Sequence, residues 1–268
     1  MSHQLAYIHP DAKIGKDVTI SPFAYIAGNV VIGDGTWIGP NTTILDGARI
    51  GKNCRVFPGA VISAIPQDLK FRGEETTAEI GDNTTMRECV TINRGTASRG
   101  KTVIGNNCLL MAYVHVGHDC KIGNEIILGN GTQVAGEVEI DDWAIVSAHS
   151  LIHQFERIGA HVMVQGGSKI NKDIPPFIIA AREPITFAGI NIIGLRRRGF
   201  TAQQIGEIQE VYRNLYNKGM NVSQALTYIT ENMAQTPERD LIVDFIKNSK
   251  RGICREYTGS DPNEGLDF

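Results

Sequence analysis

The stretch "IHPDAKIGKDVTISPFAYIAGNVVIGDGTWIGPNTTILDGARI", residues 8–50, puts an isoleucine at every sixth position: Ile8, Ile14, Ile20, Ile26, Ile32, Ile38, Ile44 and Ile50. The step continues through Val56 and Ile62, returns at Ile80, Met86 and Ile92, and runs from Ile104 to Ile170. Of the 28 positions on this register between 8 and 170, only Asp68, Glu74 and Ser98 are not aliphatic. A period of six suits neither an amphipathic helix nor an alternating strand. The residue after the aliphatic is often glycine, and the fourth after it is small or β-branched, as at Ala12, Val18, Ala24 and Val30. Two inward positions per six, with turn-tolerant residues between them, describe short strands joined by corners. Stacked coil on coil, they make a parallel β-helix that carries its own core.

Two polar segments interrupt the step, residues 64–79 ("AIPQDLKFRGEETTAE") and 93–103 ("NRGTASRGKTV"). Both keep the count a multiple of six, so they are expected as loop excursions from an otherwise regular wall, where function tends to be carried. The step stops near Pro175-Pro176. Beyond "GLRRRGF" the pattern becomes helical: Thr201 with Gln204 forms a capping box, and Ile205, Ile208, Val211, Tyr212 and Leu215 follow before Gly219. Further helices are expected at about 223–235 and 237–250, and the tail "GSDPNEGLDF" reads as frayed. The expected division is a β-helix over 1–186 and a small α-helical domain over 187–268.

The bulk properties exclude several classes. A net charge of -3 gives nucleic acid no support. The N-terminus lacks a basic start followed by an apolar run, and no apolar run is long enough to span a bilayer, so a cytoplasmic protein is expected. The five cysteines lie far apart without metal-ligand spacing and read as reduced thiols.

Within this frame the segment "MAYVHVGHDCKIGN", residues 111–124, carries the densest chemistry. Val116 is the inward aliphatic, so His115 before it and His118 after it point outward, and Cys120 takes the small inward position. Three readings stand: solvated surface histidines, a zinc site, or a base that deprotonates a hydroxyl with Asp119 as its orienting carboxylate.

The motifs "IPQDLKF", "HVGHDCKIGN", "HQFERIGAHVMVQGGS" and "AGINIIGLRRRGF" resemble those of the bacterial UDP-N-acetylglucosamine 3-O-acyltransferases, hexapeptide-repeat enzymes that open lipid A synthesis. The resemblance covers essentially the whole chain. It implies a left-handed parallel β-helix; general crossover preferences alone would point to the other hand. It implies His118 as general base, Asp119 as its orienter and the Gly136 N–H as oxyanion donor, with no metal and no cofactor. It further implies substrate contacts at Gln67, Asp68, Lys70, His115, His153 and Gln154, and nucleotide or phosphate contacts at Asn191, Arg197 and Arg198. Without it, the "RRR" run would read as a solvated basic junction and Asp119 as a turn residue. The implied donor is a 3-hydroxyacyl chain on the phosphopantetheine of acyl carrier protein, and the implied assembly is a homotrimer. Gly166 falls where the family gauges acyl length; an open groove there predicts a chain of about 14 carbons or more. One departure is Glu137, where the family often has histidine.

Two enzymatic alternatives remain on sequence. The sister N-acyltransferase of the same pathway carries an extra N-terminal domain, for which a step starting at Ile8 leaves no room. A γ-class carbonic anhydrase needs three converging histidines and zinc. A purely structural β-helix leaves the two polar excursions unexplained.

Overall fold

In the computed structural model, which describes residues 4–216 and 219–256, the six-residue step becomes a stack of strands two to four residues long. Successive strands fall in three different sheets, and each pairs in parallel with the strand one coil away. The first face has nine strands, from Tyr7–Ile8 to Lys169–Ile170. The second has eight, from Lys13–Ile14 to Arg157–Ile158. The third runs from Thr19–Ile20 to Met163–Val164 and then continues into the C-terminal region. The register sets like on like: Val116 beside Val134, Val134 beside Ile152, Ile152 beside Ile170. Ile26, Ile44, Ile62, Ile92 and Val116 are completely buried, each contributing about 1.5–3 kcal/mol of burial free energy.

The corners have a common backbone device. The third residue after an aliphatic has positive φ at most turns, including Asn41 (55°), Asn53 (53°), Asp119 (59°), Glu137 (60°) and His161 (60°). Left-handed backbone costs a non-glycine residue roughly 1–2 kcal/mol, and Asn and Asp tolerate it best. At Gly47 (φ 88°) even a methyl group is excluded, because it would lie 2.3 Å from the Thr76 carbonyl oxygen.

The two excursions leave from the same edge in successive coils. Strands Val61–Ala64 and Thr91–Asn93 lie on the first face, and Thr77–Ile80 and Lys101–Ile104 on the second. The strands reach into both polar segments, so the loops proper are 65–76 and 94–100. One coil further along, this edge carries His118.

Past the coils, strand Ile178–Ala181 joins the third face in parallel and Thr186–Ile190 pairs with it antiparallel. Four helices follow: α1 (Ile192–Arg197), α2 (Ala202–Tyr216), α3 (Val222–Asn232) and α4 (Pro237–Lys247). The chain then returns to the same sheet as strand Arg255–Glu256. The C-terminal region is therefore a helical excursion pinned at both ends to the coil, and the two strands at its ends were not expected from sequence. The Thr201–Gln204 capping box is formed, the Gln204 N–H donating to Thr201 Oγ1 at 3.2 Å and the Thr201 N–H to Gln204 Oε1 at 3.0 Å. Buried Tyr212 donates its hydroxyl to the Pro176 carbonyl at 2.6 Å and docks α2 on the last coil. The tail 259–268 lies outside the described residues.

Candidate active site

The edge between the first and second faces stacks three residues that follow an aliphatic by two: His118, Gly136 and Gln154, one per coil. His118 is held by its neighbour. Its Nδ1 lies 2.8 Å from Asp119 Oδ2, and its side chain is mostly buried. Asp119 is wholly buried at the corner, so the turn and the orienting carboxylate are one residue.

A buried carboxylate needs donors, and the second loop supplies them. Thr96 donates its N–H to Oδ1 (3.0 Å) and Oδ2 (3.1 Å) and its hydroxyl to Oδ2 (2.7 Å), and the Arg99 N–H donates to Oδ1 (3.1 Å). Burial by itself would raise this carboxyl, but the bonds from Thr96, His118 and Arg99 outweigh it and hold Asp119 below the usual carboxylate range. An ionised Asp119 accepts only, so Nδ1 of His118 carries a proton toward it and Nε2 is the ring nitrogen turned away from that bond.

Nε2 faces two groups. Asp68 Oδ2, from the first loop, is 3.8 Å away. On the other side lies Gly136, so close that a methyl group there would sit 2.5 Å from Nε2. Among the described residues no acceptor takes the Gly136 N–H. A groove of about 550 Å³ opens here along the first face, lined by Gln67, His115, His118, Gly136, His153 and Gln154 among others. An imidazole, a carboxylate behind it and an uncommitted backbone N–H beside it make an arrangement suited to acyl transfer.

Comparison with known proteins decides the family. Residues 29–64 and 101–136 match the bacterial transferase hexapeptide profile, and residues 173–254 match the profile of the second domain of UDP-N-acetylglucosamine O-acyltransferase. The acyl-[acyl-carrier-protein]–UDP-N-acetylglucosamine O-acyltransferase of Chlorobaculum parvum is 56% identical over 251 residues, 93% of this chain and 95% of the relative. That of a Sulfurihydrogenibium species is 53% identical over 255 residues, 95% and 94% of the two chains. The crystal structure of the UDP-N-acetylglucosamine acyltransferase from Bacteroides fragilis superposes with a TM-score of 0.94 at 60% identity, over 95% of this chain and 100% of that one.

The chain belongs to the UDP-N-acetylglucosamine O-acyltransferase family. Its coil is accordingly the left-handed parallel β-helix of hexapeptide-repeat acyltransferases, followed by the helical C-terminal region.

Not every residue singled out in this O-acyltransferase sequence reaches the groove. His115 lines it, its Nδ1 2.8 Å from Thr91 Oγ1; burial and then the neighbouring His118 lower its pKa. Asp68 accepts from the Lys70 N–H at 2.8 Å, and Lys70 itself is exposed on the loop. Gly166 lies at the corner between the third and first faces, where a methyl group would sit 3.2 Å from the Ala148 carbonyl oxygen. Asn191 caps α1, accepting from the Gly194 N–H at 3.1 Å and donating to the His161 carbonyl at 2.9 Å. Arg197 is exposed at the end of α1, and Arg198 lies over the Trp143 ring. Within the single chain these last four do not line the groove at His118.

Sequence reasoning missed Thr96 and Arg99, which sit in a loop with no register. It also missed Gln133, Leu151 and Lys169, which line the groove on the same face as His115. For these the signal was present, since stepping one coil at a time from His115 reaches each in turn. Among the described residues no three His, Cys, Asp or Glu side chains are placed to hold a metal ion. Cys120 is packed in the core, its thiol pushed up to about 12 by burial.

His161 occupies the opposite edge, stacked between Trp143 (centroids 6.3 Å) and Phe177 (5.5 Å) with the edge of Phe200 against it. Burial, then the Arg198 guanidinium, lowers its pKa from 6.5 to about 4. Between those values the unfolded chain takes a proton that the folded ring refuses, so this contribution is complete above pH 6.5 and lost as pH falls toward 4. His161→Phe is expected to flatten the fall of melting temperature across that window. The difference is on the order of 2 kcal/mol, since the ring is only partly shielded. Thermal melts of both proteins at stepped pH check it, and parallel curves refute it.

Proposed function

We propose that this enzyme transfers a 3-hydroxyacyl chain from acyl carrier protein to the 3-hydroxyl of UDP-N-acetylglucosamine, the first step of lipid A biosynthesis, in the cytoplasm. The observation that carries the mechanism is the free Nε2 of His118, fixed from behind by Asp119 and set against Gly136. The sugar 3-hydroxyl gives its proton to Nε2 as its oxygen attacks the thioester carbonyl carbon. The oxyanion that forms accepts from the Gly136 N–H. Its collapse breaks the carbon–sulfur bond, and the departing pantetheine thiolate takes the proton back from His118. Such a base supplies about 10²–10⁴-fold. Asp119 stabilises the transient imidazolium, and Gln67, Asp68, Lys70, His115, His153 and Gln154 hold the sugar nucleotide along the groove.

The same reading makes the protein a homotrimer. Leu109, Ile127, Ile145 and Met163 stack in register on the outside of the third face, a flat apolar strip that a second copy of the chain would cover. Packing three copies this way would let the edges bearing Gly166, Asn191, Arg197 and Arg198 complete a neighbour's groove, with the arginines on the diphosphate. Arg196, Lys247, Lys250 and Arg255 offer a basic surface to the acidic carrier protein. Five free cysteines suit a reducing compartment, and among the described residues no helix is long and apolar enough to cross a membrane.

The test combines purified protein, the sugar nucleotide and 3-hydroxyacyl carrier proteins of several chain lengths, with mass spectrometry of the sugar nucleotide and zinc content on the same sample. The expected product carries a chain of about 14 carbons or more, because Gly166, on the edge that would complete a neighbour's groove, has no side chain to block it. A strong preference for about ten carbons refutes the length assignment. No product with any donor, together with stoichiometric zinc, refutes the acyltransferase reading.

A further inference from the structure

Glu156 is out of place chemically. It follows Ile152 by four, the inward position that Cys120 and Val138 fill in the two preceding coils, and it is completely buried. Burial raises its carboxyl to about 7, against the pull of Arg251 and with the push of Asp173. Its cation comes from the far end of the chain: Arg251 Nε lies 2.7 Å from Glu156 Oε1. The segment that delivers Arg251 is tied across the last coil. Lys172 Nζ donates to the Arg251 carbonyl at 2.8 Å, the Asp173 N–H donates to the Gly252 carbonyl at 3.0 Å, and the Cys254 N–H donates to the Asp173 carbonyl at 2.9 Å.

Anchored this way, Arg251 has a second arm free. Its Nη2 lies 3.4 Å from Nδ1 of His153, in the wall of the groove. That same nitrogen lies 3.1 Å from the Gln154 carbonyl oxygen. Nδ1 can serve only one of them. Carrying a proton, it would donate to the carbonyl and face a cation; bare, it accepts from the guanidinium. The guanidinium carries a full charge, which outweighs a carbonyl dipole at comparable distance.

We propose that Arg251 is a positioning residue of the groove, one that fixes His153 in the tautomer with its proton on Nε2 and so makes the ring a hydrogen-bond donor to the bound sugar nucleotide. The inference rests on the reading of the groove as the sugar-nucleotide site. It gives the C-terminal strap a role in substrate recognition, because the strap sets a donor on the groove wall without entering the groove. Glu156 is the fixed point of this arrangement.

The full-length protein, labelled with ¹⁵N-histidine, reports the tautomer directly through long-range proton–nitrogen correlations, the His153 ring being assigned with His153→Gln. The wild type is expected to show Nε2–H. Arg251→Met is expected to move the proton to Nδ1, where it bonds the Gln154 carbonyl, and to raise KM for UDP-N-acetylglucosamine roughly two- to tenfold at nearly constant kcat. Arg251→Lys keeps a cation for Glu156 but lacks the second arm. It is expected to melt like the wild type and still show the Nδ1–H tautomer, which separates positioning from stability. The proposal fails if both variants keep Nε2–H, and equally if the tautomer changes while KM does not. The ring measurement needs no turnover, so a protein that does not acylate the sugar nucleotide would sink the functional reading while the Arg251–His153 geometry is still read on its own.

Discussion

Alanine at position 118 is expected to cut kcat by about 10²–10⁴-fold, with KM for the sugar nucleotide and the melting temperature close to wild type. The expectation of a normal fold comes from Asp119. Truncating one partner of a buried charge is usually destabilising because the other is left alone, but Asp119 keeps the Thr96 N–H, the Thr96 hydroxyl and the Arg99 N–H after the imidazole is gone. His118 itself stands outside the aliphatic stack, whose nearest member, Val116, is untouched. The loss should therefore fall on the chemical step. Steady-state kinetics and a thermal melt decide it: wild-type turnover in the variant removes His118 as the base. A large drop in melting temperature would instead mean that the corner depends on the ring.

The geometry also explains which parts of this molecule could be read without a structure. A β-helix writes its fold locally, since every coil repeats the same inward positions, and the three register positions that fail to be aliphatic, Asp68, Glu74 and Ser98, fall inside the two loops. Helix α2 announced itself through Thr201 and Gln204, whereas α1 is too short to show a period, and its cap, Asn191, is a residue type equally suited to binding a ligand. For α3, expected from about residue 223, the box between Asn221 and Gln224 sets the start at Val222. The contact between His118 and Asp119 joins neighbours in sequence, so the register together with the family resemblance could single the pair out. What sequence could not supply was the second loop's purpose. Thr96 and Arg99 act on Asp119 from about twenty residues away, three of the four bonds through backbone N–H groups that carry no side-chain signature. The C-terminal strap is harder still to foresee, because Arg251 meets Glu156 only once the last coil has closed.

Gly136→Ala is the second substitution with a large expected effect, about 10²–10³-fold in kcat, and its cause is steric. Gly136 does not have the positive φ of the corner residues, so the backbone accepts alanine without conformational strain. The new methyl group, however, would lie 2.5 Å from Nε2 and 2.6 Å from Cε1 of His118. The ring cannot swing aside freely, since Nδ1 is tied to Asp119 and Asp119 is tied to the second loop. Either the imidazole leaves its bond to Asp119 or the Gly136 backbone backs away and takes its N–H with it. Both remove transition-state stabilisation, while overpacking of this kind costs about 1–3 kcal/mol of stability. The double variant with His118→Ala separates the two routes. Removing the imidazole makes room for the methyl group and lets the N–H return, so if the ring is what yields, the double variant should turn over within about twofold of His118→Ala alone. A further loss of tenfold or more would show that the methyl group acts on the oxyanion position itself. Near-wild-type turnover in Gly136→Ala would mean that neither the ring nor the N–H is held as tightly as the contacts around Asp119 require.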